Sequence, residues 1–358
     1  MVRMLCIVNH KIIYESEIKI FEKLGIETFT PNIIPSTDPE LRSIELRQNF
    51  SSLAEGDLEI LNSFNFWTDF WTEDIIRILN DYFDFVYVAL NSYCVPLNQS
   101  LLHFNKLIIG RAFGRESPYS YNDFFEMDPD LHLKTLIKSN SNFMFMPVYK
   151  SIEKIEPRYI KKKSYSIGLS IPNDWYLYKD TWKNLETDQV IFLCPSINES
   201  EYYSELYQKF LKYFGSLNYL IFGKNKNTGD PRIATYMLRS ELFALYQNSK
   251  VFIYLSSEER HLHYTPIECM LIGIPVVYLK GSLLDSIVSQ YSADFDFGKC
   301  SDVYEMQQKV DLILRGDSII DKIKCAQAQI AKNYAEDLLV KNWIDFFYSQ
   351  KIFLDNVV

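Results

Sequence analysis

The sequence contains no hydrophobic run long enough to cross a membrane. Its most apolar stretches, residues 85–90 and 270–279, are short or interrupted by glycine and proline, whereas a spanning helix needs about 20 consecutive apolar residues. The first eight residues lead directly into a strand pattern and lack the apolar core of a secretory signal peptide. These absences predict a cytoplasmic protein and leave open a location at the inner face of the cytoplasmic membrane.

Motifs for metal binding, hydrolysis and phosphoryl transfer are also missing. The six cysteines include no C-x-x-C pair, so buried, reduced thiols are expected and a zinc site is not. Two D-x-D matches, Asp128-Pro129-Asp130 and Asp294-Phe295-Asp296, do not directly follow a convincing strand, and the first fits a helix cap. The sequence also lacks G-x-x-x-x-G-K-[ST], H-E-x-x-H and G-x-S-x-G. No metal cofactor is therefore expected.

An excess of positive charge is absent as well. The 358 residues include 37 basic and 46 acidic ones, a formal net charge of −9, which argues against nucleic acid as a main partner. A local basic site for a small phosphorylated ligand stays compatible with this balance, because local potential need not follow net charge. The composition is that of a globular protein, and the length predicts two domains.

The sequence does contain a repeated alternation of short apolar strands and helices. Such alternation indicates an α/β fold with parallel sheets, and it occurs in two Rossmann-like series. The first series has predicted strands at residues 4–8, 26–29, 85–90, 107–109 and 143–146; the second has them at 190–193, 219–222, 251–255 and 275–279. Two helices are predicted at the end of the chain, over residues 301–314 and 318–347.

A basic, proline-containing stretch at residues 147–164 separates the two series, and we interpret it as the connection between domains. The predicted division is an acceptor-side domain at 1–150 and a donor-nucleotide domain at 151–334. The C-terminal helix at 335–358 is expected to cross back to the first domain.

In open α/β sheets, ligands bind beyond the carboxyl ends of the strands, and this rule selects candidate residues. His10 follows the first strand, Arg111 follows the strand at 107–109, and Lys224 follows the strand at 219–222. We expect the two domains to face a central cleft, with His10 and Arg111 on its acceptor side. Each of these residues is as readily an ordinary loop residue.

The strongest functional signal is the segment at 256–279, S-S-E-E-R-H-L-H-Y-T-P-I-E-C-M-L-I-G-I-P-V-V-Y-L. Thr265 followed by Pro266 fits an N-cap and a first helical residue, and Gly273 fits the end of the helix. A helix N-terminus carries partial positive charge and N–H groups that can hold a phosphate. The residues just before it would add donors, so a phosphate site is predicted; the alternative is a scaffold helix with surface histidines. These added donors are Arg260, His261 and His263.

This segment resembles the donor-binding motif of GT-B glycosyltransferases, E-x(n)-E-A-x-x-x-G-x-P-V-V. It departs from the motif in carrying H-x-H-Y at 261–264, where many members have a glycine-rich stretch, and this variant is similar to the retaining β-Kdo transferases of bacterial capsule and O-antigen synthesis. Further carriers are N-H-K-I-I-Y-E-S-E-I-K-I at 9–20, G-R-A-F-G-R-E at 110–116 and G-D-P-R at 229–232. The resemblance covers most of the chain. It implies a GT-B fold and transfer of Kdo from CMP-Kdo, with retention of configuration, onto a bacterial surface glycan or glycolipid.

The resemblance also implies roles for individual residues. Glu268 would bind the donor's ribose, and His263 would contact the CMP phosphate. Asp230 would be the nucleophile and Glu156 the base, although Asp230 in Gly-Asp-Pro is as readily a turn residue. The phosphate and the sugar carboxylate require cationic partners, for which Arg111 is a further candidate. The predicted donor-binding set is Lys224, Arg232, Arg260, His261, His263, Tyr264, Thr265 and Glu268.

Several alternatives stay open. The donor could be a UDP- or GDP-sugar, and the chain could be a catalytically silent module that binds a sugar or nucleotide. The aromatic stretch at 64–71 could stack on acceptor sugars or touch lipid, or it could be a helix with one buried face. Peripheral contact with an anionic membrane is compatible with the lysines at 161–163, but three lysines do not make an anchor.

Overall fold

A computed structural model describes residues 1–8, 14–33, 52–90, 93–116, 118–183, 187–226, 228–291 and 297–352. The chain forms two compact units. The first comprises Met1–Pro172 and Tyr334–Val358, and the second comprises Asn173–Asn333. His10 and the D-x-D match at 294–296 lie outside the described residues.

The first unit contains a five-stranded parallel sheet with the order β2-β1-β3-β4-β5. Its strands are short, apolar and largely buried, as strands covered on both faces must be. They are β1 Val2–Ile7, β2 Ile26–Phe29, β3 Phe85–Ala89, β4 Leu107–Ala112 and β5 Phe143–Pro147. The helices of the unit are α1 Lys19–Lys23, α2 Glu55–Ser63, α3 Glu73–Tyr82, α4 Val95–His103, α5 Tyr121–Phe124, α6 Leu133–Ser139, α7 Arg158–Lys161 and, at the end of the chain, α14 Glu336–Ser349.

Helix α14 packs on the core of the first unit through its aromatic face. The ring of Trp343 lies edge-on to Phe21, with 4.7 Å between ring centroids, and it stacks on Phe347 at 5.4 Å. Phe347 in turn contacts Phe85 in β3. Burial of these large rings is the main force that holds the last helix in this unit.

The second unit contains another five-stranded parallel sheet, with the order β10-β9-β8-β6-β7. Its strands are β6 Val190–Leu193, β7 Tyr219–Phe222, β8 Val251–Tyr254, β9 Val276–Leu279 and β10 Lys299–Cys300. Its helices are α8 Glu201–Phe214, α9 Arg239–Asn248, α10 Thr265–Ile272, α11 Leu283–Tyr291, α12 Val303–Leu314 and α13 Ile319–Lys332. The short edge strand β10 has no counterpart among the predicted strands. Among the described residues, no helix is both long and apolar enough to cross a membrane.

The basic stretch at 147–164 is folded into the first unit. The amide of Phe145 donates to the carbonyl of Lys163 at 2.9 Å, and the amide of Tyr165 donates to the carbonyl of Phe145 at 3.0 Å. The chain therefore continues beside β5 and leaves the first unit after Pro172. The boundary predicted from the sequence was at residue 150.

Two predictions about helices are wrong. The single helix expected over 318–347 is two helices, because α13 ends at Lys332 and the chain changes unit before α14 begins at Glu336. The aromatic stretch at 64–71 is a turn, in which Phe66 and Trp67 are buried and Phe70 is 64% exposed. The rings of Phe66 and Trp67 therefore pack in the core of the first unit.

Candidate functional site

The loops that follow β6, β7 and β8 emerge at one edge of the second unit's sheet, because the three strands are parallel neighbours. The loop after β6 leads into α8, and the loop after β8 leads into α10. This carboxyl edge is where open α/β sheets bind ligands. The segment selected from the sequence at 256–264 lies here.

Helix α10 begins and ends nearly where the sequence predicts. Its first residue is Thr265, the position predicted as the cap, and the N-cap residue is instead Tyr264, which makes no side-chain capping bond. Gly273 follows the last helical residue with φ +99°, a conformation in which glycine avoids the strain of a side chain. All eight residues of the helix are buried, so its position is fixed by packing.

A cluster of polar and aromatic side chains lies just before α10. The hydroxyl of Tyr203 is 2.7 Å from Nε2 of His263, and the hydroxyl of Tyr202 is 2.6 Å from Oγ of Ser256. The rings of His261 and His263 meet edge to face, with 4.7 Å between centroids. We call these five residues the histidine cluster. They line a small pocket together with Phe192, Leu193, Leu206 and Tyr254.

The two tyrosines of the histidine cluster were missed in the sequence. They occupy the first turn of α8, the helix reached by the loop that leaves the carboxyl end of β6. The rule that selected Lys224 and the histidines therefore also selects this turn. Two adjacent tyrosines in an aromatic-rich sequence do not otherwise stand out.

Arg260 is held beside the histidine cluster by a buried acid. The amide and Nε of Arg260 both donate to Oε1 of Glu258, at 2.9 and 3.2 Å. Glu258 is itself fixed, since its amide donates to Oγ of Ser256 at 3.1 Å and its carbonyl accepts from the amide of Leu283 at 2.7 Å. The loop thus presents a cation whose direction is set by Glu258.

Glu268, the acid expected to bind ribose, is buried in the first turn of α10. Its Oε2 accepts a hydrogen bond from the hydroxyl of Tyr246 at 3.1 Å. Burial raises the pKa of Glu268 to about 7, against the opposing effects of this bond and of the charge of Arg239. Near neutral pH the carboxyl is therefore poised between its charged and neutral forms.

Lys224 follows β7 in a turn that is tied to the loop after β6. Gly223 adopts φ +138°, and the side chain of Asn225 donates to the carbonyl of Cys194 at 2.9 Å and accepts from the amide of Ile197 at 3.1 Å. Partial burial lowers the pKa of Lys224. The buried Asn225, which sequence reasoning missed, thus fixes the backbone on which Lys224 stands.

Asp230 and Arg232 form a turn at the edge of the sheet. Oδ1 of Asp230 accepts from the amide and Nε of Arg232 at 2.9 and 3.1 Å, and Oδ2 accepts from Nη2 at 2.9 Å. These bonds lower the pKa of the Asp230 carboxyl. The guanidinium stacks on Tyr219, the first residue of β7, so the structure places this pair toward the amino end of β7. It does not bring Asp230 into the histidine cluster.

Two predicted site residues of the first unit are buried in hydrogen-bonded positions. The carboxylate of Glu156 accepts from the amides of Tyr121 and Asn122 at 2.8 and 3.1 Å, which caps α5. Arg111, with no exposed surface, is paired with Glu17 and donates to backbone carbonyls at 2.6 Å. Both contacts are those of side chains that hold the fold.

Comparison with solved structures identifies the fold. A glycosyltransferase from Rickettsia africae ESF-5 matches with a TM-score of 0.63 at 14% identity, over 99% of each chain. Sucrose-phosphate synthase from Thermosynechococcus elongatus matches at 0.63 and 10% identity, over 99% of this chain and all of that one. Anabaena HepE in complex with UDP matches at 0.55 and 12% identity, over 98% and 100%.

These likenesses confirm the predicted GT-B fold, with Rossmann-like α/β units and a long C-terminal helix. No family model matches the sequence, and the search of curated proteins found no match. The likeness extends to the fold and no further, so the similarity to β-Kdo transferases rests on the sequence segments alone.

Proposed function

We propose that the protein is a glycosyltransferase that takes its sugar from a nucleotide donor bound at the histidine cluster of the second unit. The observation that carries this proposal is the placement of His261, His263 and Arg260 at the carboxyl edge of the sheet, directly before α10. Cationic and hydrogen-bonding groups at such an edge suit a phosphate. Anabaena HepE, a protein of the same fold, holds UDP.

The proposed roles follow from the contacts within the second unit. His263 and Arg260 bind the donor phosphates, and Lys224 adds a second cation from the loop after β7. Glu268 accepts a hydrogen bond from a ribose hydroxyl, which its charged form does better than its neutral form. Tyr264 and Thr265 shape the entry to α10. The acceptor class, a surface glycan or glycolipid, is the one that the resemblance to β-Kdo transferases implies.

A UDP-sugar is the donor that the comparisons favour, since HepE was solved with UDP. The second candidate is CMP-Kdo, which the H-x-H-Y variant at 261–264 favours. CMP-Kdo carries a single phosphodiester group and a UDP-sugar carries a diphosphate, so the two donors differ in charge and length and one site discriminates between them. Donor preference therefore separates the two candidates.

The first experiment is calorimetry of the protein with UDP, CMP and GDP in one buffer at one salt concentration. We expect binding of UDP or CMP that weakens about tenfold in His263→Gln, because a charge-assisted hydrogen bond is lost. His103→Gln, a change in the first unit, serves as the matched control. A protein that binds none of the three nucleotides, or a His263→Gln variant that binds normally, would contradict the proposed site.

Turnover is tested separately, because a silent module binds nucleotide without transferring sugar. The measurement is release of free nucleotide from UDP-sugars and from CMP-Kdo in the presence of candidate acceptors. The contacts of Asp230 and Glu156 favour structural roles for both carboxylates. Asp230→Asn is therefore expected to keep most of its turnover, and loss of turnover with intact nucleotide binding would restore the catalytic role that the resemblance implies.

A further inference from the structure

Five solvent-exposed cations of the first unit lie on residues 154–162 and on the neighbouring helix α6, and we call them the basic face. The sequence suggested that this basic stretch connects two domains, whereas the structure shows it folded onto the first unit. The members of the basic face are Lys138, Lys154, Arg158, Lys161 and Lys162.

Contacts within the first unit bring these cations together. Arg158, Lys161 and Lys162 have the i, i+3, i+4 spacing that places side chains on one side of a helical turn. Nζ of Lys161 donates to the carbonyl of Lys154 at 2.7 Å. On α6, the ammonium of Lys138 lies over the ring of Tyr159, 5.1 Å from its centroid.

The charge of the basic face is not neutralised locally. Within the part of the chain that the structure describes, none of the five side chains is paired with a carboxylate. Of the acids nearby, Glu156 is buried and bound to backbone amides, and Glu126 is bound to Lys134. Only Glu153 shares the surface of the segment as a half-buried acid. These cations give the surface a positive local potential in a chain of net charge −9.

An exposed apolar side chain lies among these cations. Ile155 follows Lys154 and is 48% exposed. Its neighbours Ile152 and Ile160 are buried, so Ile155 is the isoleucine of the segment that points outward. An exposed apolar side chain on the same segment as the cations suits the boundary between lipid headgroups and acyl chains better than the backbone of a nucleic acid.

The basic face lies away from the carboxyl edge of its sheet. Lys163 donates to the carbonyl of Asn140, just before β5, and the amide of Phe145 bonds to the carbonyl of Lys163. The turn of α7 therefore stands near the amino ends of the strands, on the edge opposite to the one where α/β sheets bind ligands. A partner bound here leaves the carboxyl edge open.

We propose that the basic face docks the protein on an anionic lipid bilayer, with Ile155 inserting among the headgroups. Clusters of four to eight Lys and Arg side chains are the recognised size for attraction to anionic lipid. The proposal does not rest on nucleotide binding, which is assigned to the second unit. Docking by the first unit would place a soluble donor and a membrane-bound acceptor in reach of one enzyme.

The test is co-sedimentation of the whole protein with vesicles of phosphatidylcholine, with or without phosphatidylglycerol, at several salt concentrations. The triple variant Lys154→Glu, Arg158→Glu, Lys161→Glu is compared with a control of the same net charge, Arg315→Glu, Lys322→Glu, Lys332→Glu, built on exposed sites of the second unit. We expect binding only with phosphatidylglycerol, a loss on the order of 100-fold in the first triple variant, and little change in the control.

Equal binding to both kinds of vesicle would overturn the proposal, as would equal losses in the two triple variants, which would reveal a net-charge effect. Tighter binding of a single-stranded RNA than of anionic vesicles at the same salt would assign the surface to nucleic acid instead. Nucleotide affinity, measured in the same samples, is expected to stay unchanged in both variants. This keeps a failure of the docking proposal distinct from a failure of the nucleotide site.

Ile155→Ser tests the apolar part of the proposal without changing charge. Its partition onto anionic vesicles is expected to fall about tenfold, because a half-exposed isoleucine is no longer transferred from water. Leu177→Ser, at an exposed leucine of the second unit, is the matched control. Equal partition of Ile155→Ser and the unchanged protein would refute insertion at this residue.

Discussion

The hydroxyl of Tyr203 lies 2.7 Å from Nε2 of His263. A hydrogen bond at one ring nitrogen fixes the orientation of an imidazole and decides which form the other nitrogen takes. Tyr203 is thus a positioning residue for the proposed phosphate contact of His263. The hydroxyl of its neighbour Tyr202 lies 2.6 Å from Oγ of Ser256 instead.

Tyr203→Phe is expected to weaken nucleotide binding about tenfold, because the imidazole loses its fixed orientation. The free energy of unfolding should fall by only about 1 kcal/mol, since the ring remains. Calorimetry and urea denaturation measure the two effects. Tyr202→Phe should cost similar stability with a smaller loss of affinity; equal losses of affinity would show that the two hydroxyls only support the loop.

The buried carboxyl of Glu268 makes stability depend on pH. Its pKa is about 7 in the folded protein, against an ordinary value of 4.5 for a glutamate side chain in water, so the folded state favours the protonated form. The stabilising contribution is complete below about pH 4.5 and is lost as the pH rises through 7. Glu268→Gln imitates the protonated form at every pH.

Urea denaturation at pH 5 and pH 8 measures the free energy of unfolding. Relative to the unchanged protein, that of Glu268→Gln is expected to be higher at pH 8 than at pH 5 by up to about 3 kcal/mol. Hydrogen bonds from Ser301 and Lys309 lower the pKa of Glu305 to about 2. This carboxyl is therefore charged at both pH values, and Glu305→Gln, the control, should lose the same stability at each. A stability difference for Glu268→Gln that does not change with pH would contradict the buried, protonated carboxyl.

At the scale of elements, two glycines differ in what limits them. Gly273 ends α10 with φ +99°, and a Cβ there would have 3.7 Å to its nearest neighbours. Gly223 ends β7 with φ +138°, and a Cβ there would lie 2.9 Å from backbone atoms of Pro195. Only conformational strain opposes a side chain at the first position, whereas strain and a backbone clash oppose it at the second.

Gly273→Ala is therefore expected to lower the free energy of unfolding by about 1–2 kcal/mol, and Gly223→Ala by about 3 kcal/mol or more. Gly223→Ala should also weaken nucleotide binding, because the loops that carry Lys224 and Asn225 must shift. Urea denaturation and calorimetry of both variants test this order. Equal losses of stability in the two variants would mean that the backbone at Pro195 moves away from a Cβ at Gly223 at little energetic cost.

At the scale of the whole molecule, the last helix of the chain stabilises the first unit. Trp343 has no exposed surface, and its ring meets Phe21 and Phe347. Trp343→Ala is expected to lower the stability of that unit by about 3–5 kcal/mol. The contacts described for the histidine cluster lie within the second unit, so nucleotide affinity should be unchanged below the melting temperature.

Thermal unfolding followed by circular dichroism, with and without nucleotide, measures this effect. Trp343→Phe is the control, because it keeps an aromatic ring. It also loses no hydrogen bond, since the indole Nε1 of Trp343 has no partner among the described residues. If Trp343→Ala did not lower the melting temperature, α14 would contribute little to the stability of the first unit.

The sequence by itself determined where the strands lie, with the exception of the two-residue β10, because buried parallel strands need short apolar runs and those runs are local. It also predicted the GT-B fold, through the resemblance of the segment at 256–279. The end of α10 at Gly273 could be predicted because the positive φ that favours glycine there is a local requirement of the backbone. The residues before α10 could be selected because strand ends share one edge of a sheet.

Only the tertiary structure decided which side chains meet. Tyr203 and His263 are 60 positions apart, and Arg111 and Glu17 are 94 apart, so no local pattern pairs them. Arg111 was expected in a cleft, and the fold surrounds it with Glu17 and carbonyls instead. The stretch at 147–164 became a charged surface because its backbone pairs with β5. Contacts between distant segments follow from packing of the whole chain, and a sequence read along its length does not contain them separately.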